Sequence, residues 1–152
     1  HVILIGGETS NGKSALAANI AVNVSKSDPV LFITLEMRTA EIGSRIMHIN
    51  GGTIDGLDMM FQAEHRLTYK DLKPLITKAR EMGDIKMVVL DYLQYLGRGM
   101  KPEEVAIMSK EIKTLALEFD IPFIVIVSLR KGEGGKGKRK WTEIEIEDFM
   151  GT

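Results

Sequence analysis

Eight residues constrain this chain more than any others: Gly7-Glu8-Thr9-Ser10-Asn11-Gly12-Lys13-Ser14, which fits the spacing G-x-x-x-x-G-K-[ST]. The octet follows the apolar run Val2-Ile3-Leu4-Ile5. It precedes Ala15 to Val24, where Leu16, Ile20 and Val24 recur at helical spacing. A strand must therefore pass into a helix through a glycine-bearing turn whose successive N–H groups point at an anion, with the positive end of the helix behind it. In such a P-loop Lys13 reaches the β and γ phosphates of a nucleoside triphosphate, and the Ser14 hydroxyl meets Mg²⁺. Gly7, Ser10, Asn11, Gly12, Lys13, Ser14 and Ala15 are the nucleotide-binding residues expected from this pattern.

Further apolar segments lie at 30–35, 86–90 and 122–127, with a weaker one at 58–62. Helical patterns separate them: Leu72, Leu75, Ile76 and Ala79 on one face, then Val105, Met108, Ile112, Leu115 and Ala116, with Phe119 a turn further on. Strands apolar at every position belong to a parallel sheet covered on both sides, so the expected class is α/β, in the order β-α-β-α-β-α-β-α-β. Thr39 is placed to cap the helix through Ile42, Ile46 and Ile49, which Asn50-Gly51-Gly52 would close. Pro122 is placed to open the last strand. A length of 152 residues suits one domain. Its expected division is a nucleotide-binding core over 1–128 and a basic loop with a strand-like segment over 129–152. A start at His1 and an end at Gly151-Thr152 suggest truncation on both sides.

Two strand ends carry acids. Lys86-Met87-Val88-Val89-Leu90-Asp91 has the form of a Walker B segment, in which Asp91 holds Mg²⁺ beside Ser14; capping of a turn is the simpler role for such an Asp. Leu31-Phe32-Ile33-Thr34-Leu35-Glu36 ends likewise. Carboxyl ends of parallel strands lie on the ligand side of an open sheet, so Glu36 could activate the attacking water or be an ordinary surface acid.

Composition removes several classes. With no cysteine there is no disulfide, thiolate catalysis or cysteine metal site. His1, His48 and His65 show no ligand spacing. No apolar run nears the ~18 residues of a membrane span, and a cytoplasmic protein is expected. Net charge is −1, from 20 Lys and Arg against 21 Asp and Glu, so only a local cluster can signal a polyanion. One exists: Arg130, Lys131, Lys136, Lys138, Arg139 and Lys140 stand among glycines with the single acid Glu133. Such a loop can be merely solvated, or can track a phosphate backbone without reading sequence. Trp141 could stack on a base or anchor the loop.

"GGETSNGKSALAANIA", "LFITLEM", "VVLDYLQYL" and "MSKEIKTLALEFDIPFIVIVSLRK" resemble the ATPase domain of the DnaB-type hexameric replicative helicases, a RecA-like fold. The resemblance covers most of the chain. It implies ATP and Mg²⁺ as cofactors, with Lys13 and Ser14 as nucleotide and metal ligands, Glu36 as catalytic base and Asp91 as the Walker B acid. It also implies single-stranded DNA held by the basic loop, assembly into a homohexameric ring, and a primase or helicase loader as a further candidate partner. Arg45 falls where the family has a nucleotide-proximal arginine, and a surface helix arginine is the other reading. Ser128 occupies the place of a Gln or His that senses the γ phosphate. Family members carry more residues than Gly51 to Leu57 before the strand at 58–62, and their trans-acting arginine finger has no counterpart here. The alternatives are a RecA-like regulatory ATP-binding module and a recombinase-type ATPase without unwinding activity.

Overall fold

The computed structural model describes residues 1–8, 10–63, 66–91, 93–96 and 102–128. Five strands form one parallel sheet: β1 (Val2–Gly7), β2 (Val30–Thr34), β3 (Met59–Ala63), β4 (Met87–Asp91) and β5 (Phe123–Ser128), in the spatial order β1-β5-β4-β2-β3. Helices α1 (Lys13–Ser25), α2 (Thr39–Ile49), α3 (Leu72–Met82), α4 (Leu93–Leu96) and α5 (Pro102–Glu118) provide the crossovers. The α/β class expected from the apolar runs is the one observed. The added elements are the single turn α4 and a 3-10 turn at Tyr69–Asp71 before α3, both too short to produce a helical period in the sequence.

Alternation along the strands divides the interior in two. Leu31, Ile33, Val88, Leu90, Phe123 and Val125 face α3, α4 and α5, meeting Leu72, Ile76, Met108, Ile112 and Leu115. Val30, Phe32, Met87, Val89, Ile124 and Ile126 face the opposite way, onto Ala17, Ala18 and Ala21 of α1 and Ile42 and Ile46 of α2. This three-layer arrangement explains why β2 and β4 are buried at every position. Full burial of each such side chain is worth roughly 1.5–3 kcal/mol.

Two local expectations are corrected. The inward face of α1 is a stripe of small residues, Ala17, Ala18, Ala21, Val22 and Ser25, while Leu16 is 53% exposed. Of the Leu16-Ile20-Val24 spacing, Ile20 and Val24 are partly buried at the flank of this stripe and Leu16 turns outward, so the fully buried contact with the sheet is made by the smaller side chains. At α2 the N-cap is Arg38, and Thr39 is already the first helical residue, with no side-chain cap bond. Pro122 lies just outside β5, where its carbonyl accepts the Val88 N–H at 3.0 Å.

All five strands point the same way, so their carboxyl ends share one pole. Gly7 pairs with Ser128 across β1 and β5, and Thr34 pairs with both Asp91 and Ala63 from its place in β2. Residues 8, 10–12 and 35–38 and the end of β4 are thereby gathered at the same end of the sheet.

Candidate nucleotide and metal site

The turn between β1 and α1 is shaped by two residues with left-handed backbone, Ser10 at φ 67° and Gly12 at φ 74°. Glycine adopts this region freely and serine at a cost. Gly12 is the N-cap of α1 and offers no side chain to the first turn. By helix geometry the N–H groups of Lys13, Ser14 and Ala15 lack intrahelical acceptors, and the first intrahelical bond runs from Leu16 N–H to Gly12 C=O at 2.9 Å. A helix start of this form can receive an anion. Gly7 does not have positive φ, and a Cβ there would stand 3.5 Å from Lys13 Cδ, an ordinary contact. The glycine requirement in the loop falls on Gly12. Asn11 N–H bonds to the Glu8 carbonyl at 3.3 Å, and Lys13 Nζ donates to the same carbonyl at 2.6 Å, so the ammonium lies across the loop. Ser10 and Asn11 are exposed on the loop; Thr9 is outside the described residues.

Asp91, the last residue of β4, is fully buried, and neither carboxylate oxygen has a hydrogen-bond partner. Leaving such a group unpaired is costly unless a cation completes it. Burial pushes its carboxyl above the usual carboxylate range; the Ser14 hydroxyl opposes the shift, the Glu36 charge adds to it, and Arg45 and Lys13 oppose it. The Ser14 hydroxyl is thus near enough to act on Asp91, although the geometry stops short of a hydrogen bond. That influence places Lys13, Ser14, Glu36 and Arg45 in one electrostatic neighbourhood around a buried acid. Arg45 is half-buried on α2, close enough for its charge to act on Asp91.

Glu36 lies two residues beyond the end of β2, not within the strand as its sequence suggested. It is exposed between buried Leu35 and buried Met37. Leu35 belongs to the interior on the α3–α5 side and Met37 to that on the α1–α2 side, so the turn straddles the edge of the sheet. Leu35 N–H donates to the Asp91 carbonyl at 2.8 Å, and the Thr34 hydroxyl accepts the Met37 N–H at 3.1 Å. Thr34 was not singled out by sequence reasoning. The available signal was a hydroxyl residue three positions before Met37, at the point where an apolar strand must turn.

Ser128 ends β5 level with Gly7, between the P-loop strand and the Asp91 strand. Arg130, Lys131, Lys136, Lys138, Arg139, Lys140 and Trp141 lie outside the described residues, as does His65.

The donor set fits Mg²⁺ held with a phosphate ligand. A hydroxyl and one orphaned carboxylate are oxygen ligands of the kind Mg²⁺ takes when substrate phosphates and water complete its octahedron. Among the described residues no three His, Cys, Asp or Glu form a group that could hold a metal ion. Nor is any helix among them long and apolar enough to cross a membrane.

Comparison with known proteins bears on the same residues. The family model for the DnaB-like helicase C-terminal domain matches residues 1–60 and 49–142. The chain is 27% identical to the replicative DNA helicase DnaB of Leifsonia xyli, over 87% of this chain and 35% of that protein. It is 27% identical to a probable plasmid replicative DNA helicase of Chlamydia psittaci, over 97% of this chain and 39% of that one. The chain thus spans little more than a third of these relatives. The Leifsonia match extends over 162 positions, more than this chain's 152 residues, so the relative carries residues within the matched span that this chain lacks. A solved ATPase domain superposes with a TM-score of 0.73 at 20% identity, covering 86% of this chain and 57% of its own. A KaiC-like protein from Pyrococcus horikoshii superposes at 0.67 with 16% identity, over 84% and 61%. These likenesses establish a RecA-like ATPase fold, and the match along most of the sequence establishes that this chain belongs to the DnaB-like helicase C-terminal domain family.

Proposed function

We propose that this chain is the ATP-hydrolysing motor domain of a replicative DNA helicase and that it works at the interface of a ring of like subunits on single-stranded DNA. The observation that carries the reading is Asp91: a fully buried carboxylate with both oxygens unpartnered, at the end of the strand two places from the P-loop strand. A core acid left so would be a liability without a cation to complete it.

In this reading the first-turn N–H groups of α1 and the Lys13 ammonium bind the phosphates, with Lys13 leaving the Glu8 carbonyl to do so. Ser14 and Asp91 would hold Mg²⁺, which when bound would supply positive charge to the phosphate oxygens. Glu36, exposed at the tip of its turn, orients the attacking water and accepts its proton. Arg45 supplies positive charge beside the two acids. Ser128, whose backbone pairs with Gly7, would serve as the γ-phosphate sensor, and the cationic residues from Arg130 to Lys140 would grip the DNA backbone.

The decisive experiment compares Lys13→Ala and Glu36→Gln in the full-length protein. Lys13→Ala should lose Mg·ATP binding. Glu36→Gln should bind it normally yet hydrolyse roughly 10²–10⁴-fold more slowly, the range attributable to a general base. Normal turnover by Glu36→Gln would take the base role away from Glu36.

One observation favours a second reading. Ser128 has a shorter side chain than the Gln or His expected there, which suits a regulatory module that binds ATP without moving DNA. Such a module's ATPase rate would not respond to single-stranded DNA.

A further inference from the structure

The turn that presents Glu36 is fixed from at least three sides, and one of the fixings is a side-chain hydrogen bond. Leu35 and Met37 are 1% and 4% exposed and anchor in opposite interiors. Leu35 N–H is held by the Asp91 carbonyl. A further constraint is Thr34: the residue is fully buried, and its Oγ1 accepts the Met37 N–H at 3.1 Å, closing a turn with Glu36 at its apex. A β-branched residue has few χ1 options, and burial leaves fewer, so this hydroxyl is a stiff acceptor. Valine would fill the same space with no acceptor. The Met37 N–H would then have to find another partner or shift, and the apex would turn with it.

We propose that Thr34 is a positioning residue for Glu36, its buried hydroxyl fixing through the Met37 N–H the direction in which the Glu36 carboxylate leaves the tip of β2. This rests on the reading of Glu36 as the group that activates water. Its influence on Glu36 passes through the turn. Placement errors of about 1 Å at a reacting group can cost roughly 10²-fold in rate, so the effect should appear in turnover and not in nucleotide affinity.

The test measures steady-state ATP hydrolysis and Mg·ATP affinity in the full-length protein for Thr34→Val, Thr34→Ser, Glu36→Gln and the double variant Thr34→Val with Glu36→Gln. Thr34→Val should lower kcat by about 10- to 100-fold with the affinity for Mg·ATP within about twofold of the parent, a result that also reports an intact fold. Thr34→Ser, which keeps the acceptor, should recover most of the rate. In the Glu36→Gln background the Thr34→Val change should cause no further loss, because the group it positions is already disabled. An unchanged kcat in Thr34→Val, or equal damage from Val and Ser, overturns the proposal while leaving the Glu36 reading intact. A further drop in the double variant overturns it in the same way. Normal hydrolysis by Glu36→Gln overturns both.

Discussion

The N–H of Leu35 donates to the carbonyl of Asp91 at 2.8 Å, one residue beyond the point where Thr34 pairs with Asp91 between β2 and β4. The two strands that bring acids to the site are therefore fastened at their tips, and the carboxylates part from a common anchor: Asp91 buried, Glu36 exposed on the adjacent turn. One sheet register thus sets the separation of Asp91 from Glu36, the acids proposed to hold the metal and to activate water.

Asp91→Asn should make the nucleotide-free protein more stable and less able to bind Mg·ATP. The native carboxylate is buried without a partner, a state that costs at least about 1–3 kcal/mol for a polar group and more for a charge. Burial raises its pKa above the ordinary 3.8, so the folded form holds the proton more tightly than the unfolded chain does. The stability this confers is complete below pH 3.8 and is lost as pH rises through the raised value. Parent and variant should therefore diverge with increasing pH over that window in urea titrations, the variant gaining. Added Mg·ATP should invert the order by stabilising only the parent. A stability difference that ignores pH would separate Asp91 from this account.

Ala18→Leu and Leu16→Lys test which face of α1 carries the fold. Ala18 is fully buried against the sheet. Forcing a larger side chain there should cost roughly 1–3 kcal/mol in chemical denaturation. Leu16 is 53% exposed, and its replacement should stay within about 0.5 kcal/mol. The opposite ranking would restore the face that the Leu16-Ile20-Val24 spacing indicates.

That spacing shows where the sequence was legible and where it was not. The sheet was readable because β2, β4 and β5 are continuous apolar runs, and the P-loop because its chemistry demands fixed residues at fixed intervals. For α3 and α5 the large apolar side chains do face inward, so periodicity found the correct stripes. On α1 it found the helix, and Ile20 and Val24 do pack against the interior, but it missed the alanine stripe and included the exposed Leu16, since a helix seated close to a sheet buries alanines, and alanines carry little hydrophobic signal. At the site, Lys13, Ser14, Asp91, Glu36 and Arg45 were each nameable from local patterns or family likeness. Their convergence, and the part played by Thr34, depend on strand register: the pairing of Thr34 with Asp91 joins residues far apart in the chain and leaves no mark in either segment.

Gly12→Ala and Gly7→Ala should differ. Nothing stands within 4 Å of a Cβ built on Gly12, so the penalty there is conformational: at φ 74° an alanine pays about 1–2 kcal/mol. Gly7 lacks positive φ and would only touch the Lys13 stem at 3.5 Å, which predicts a smaller loss of stability. Urea unfolding without nucleotide measures both. A larger loss from Gly7→Ala would mean that close packing, not backbone handedness, dictates the glycines of this loop.

Replacing Lys136, Lys138, Arg139 and Lys140 by alanine distinguishes the motor from the ATP-binding regulator. If these side chains neutralise DNA phosphates, affinity for single-stranded DNA should fall, and the slope of log affinity against log salt should flatten by about 0.7 for each phosphate no longer neutralised. Mg·ATP binding depends on α1 and β4 and should persist. In a motor, DNA engagement and hydrolysis are coupled, so the parent's ATPase rate should rise with single-stranded DNA and the variant's should not. If the parent's rate ignores DNA while Mg·ATP binds normally, the regulatory reading prevails, and Ser128 becomes the position to change: Ser128→Gln supplies the longer amide group, and a DNA-dependent rate gained by that single substitution would locate the missing coupling between the P-loop and Asp91 strands.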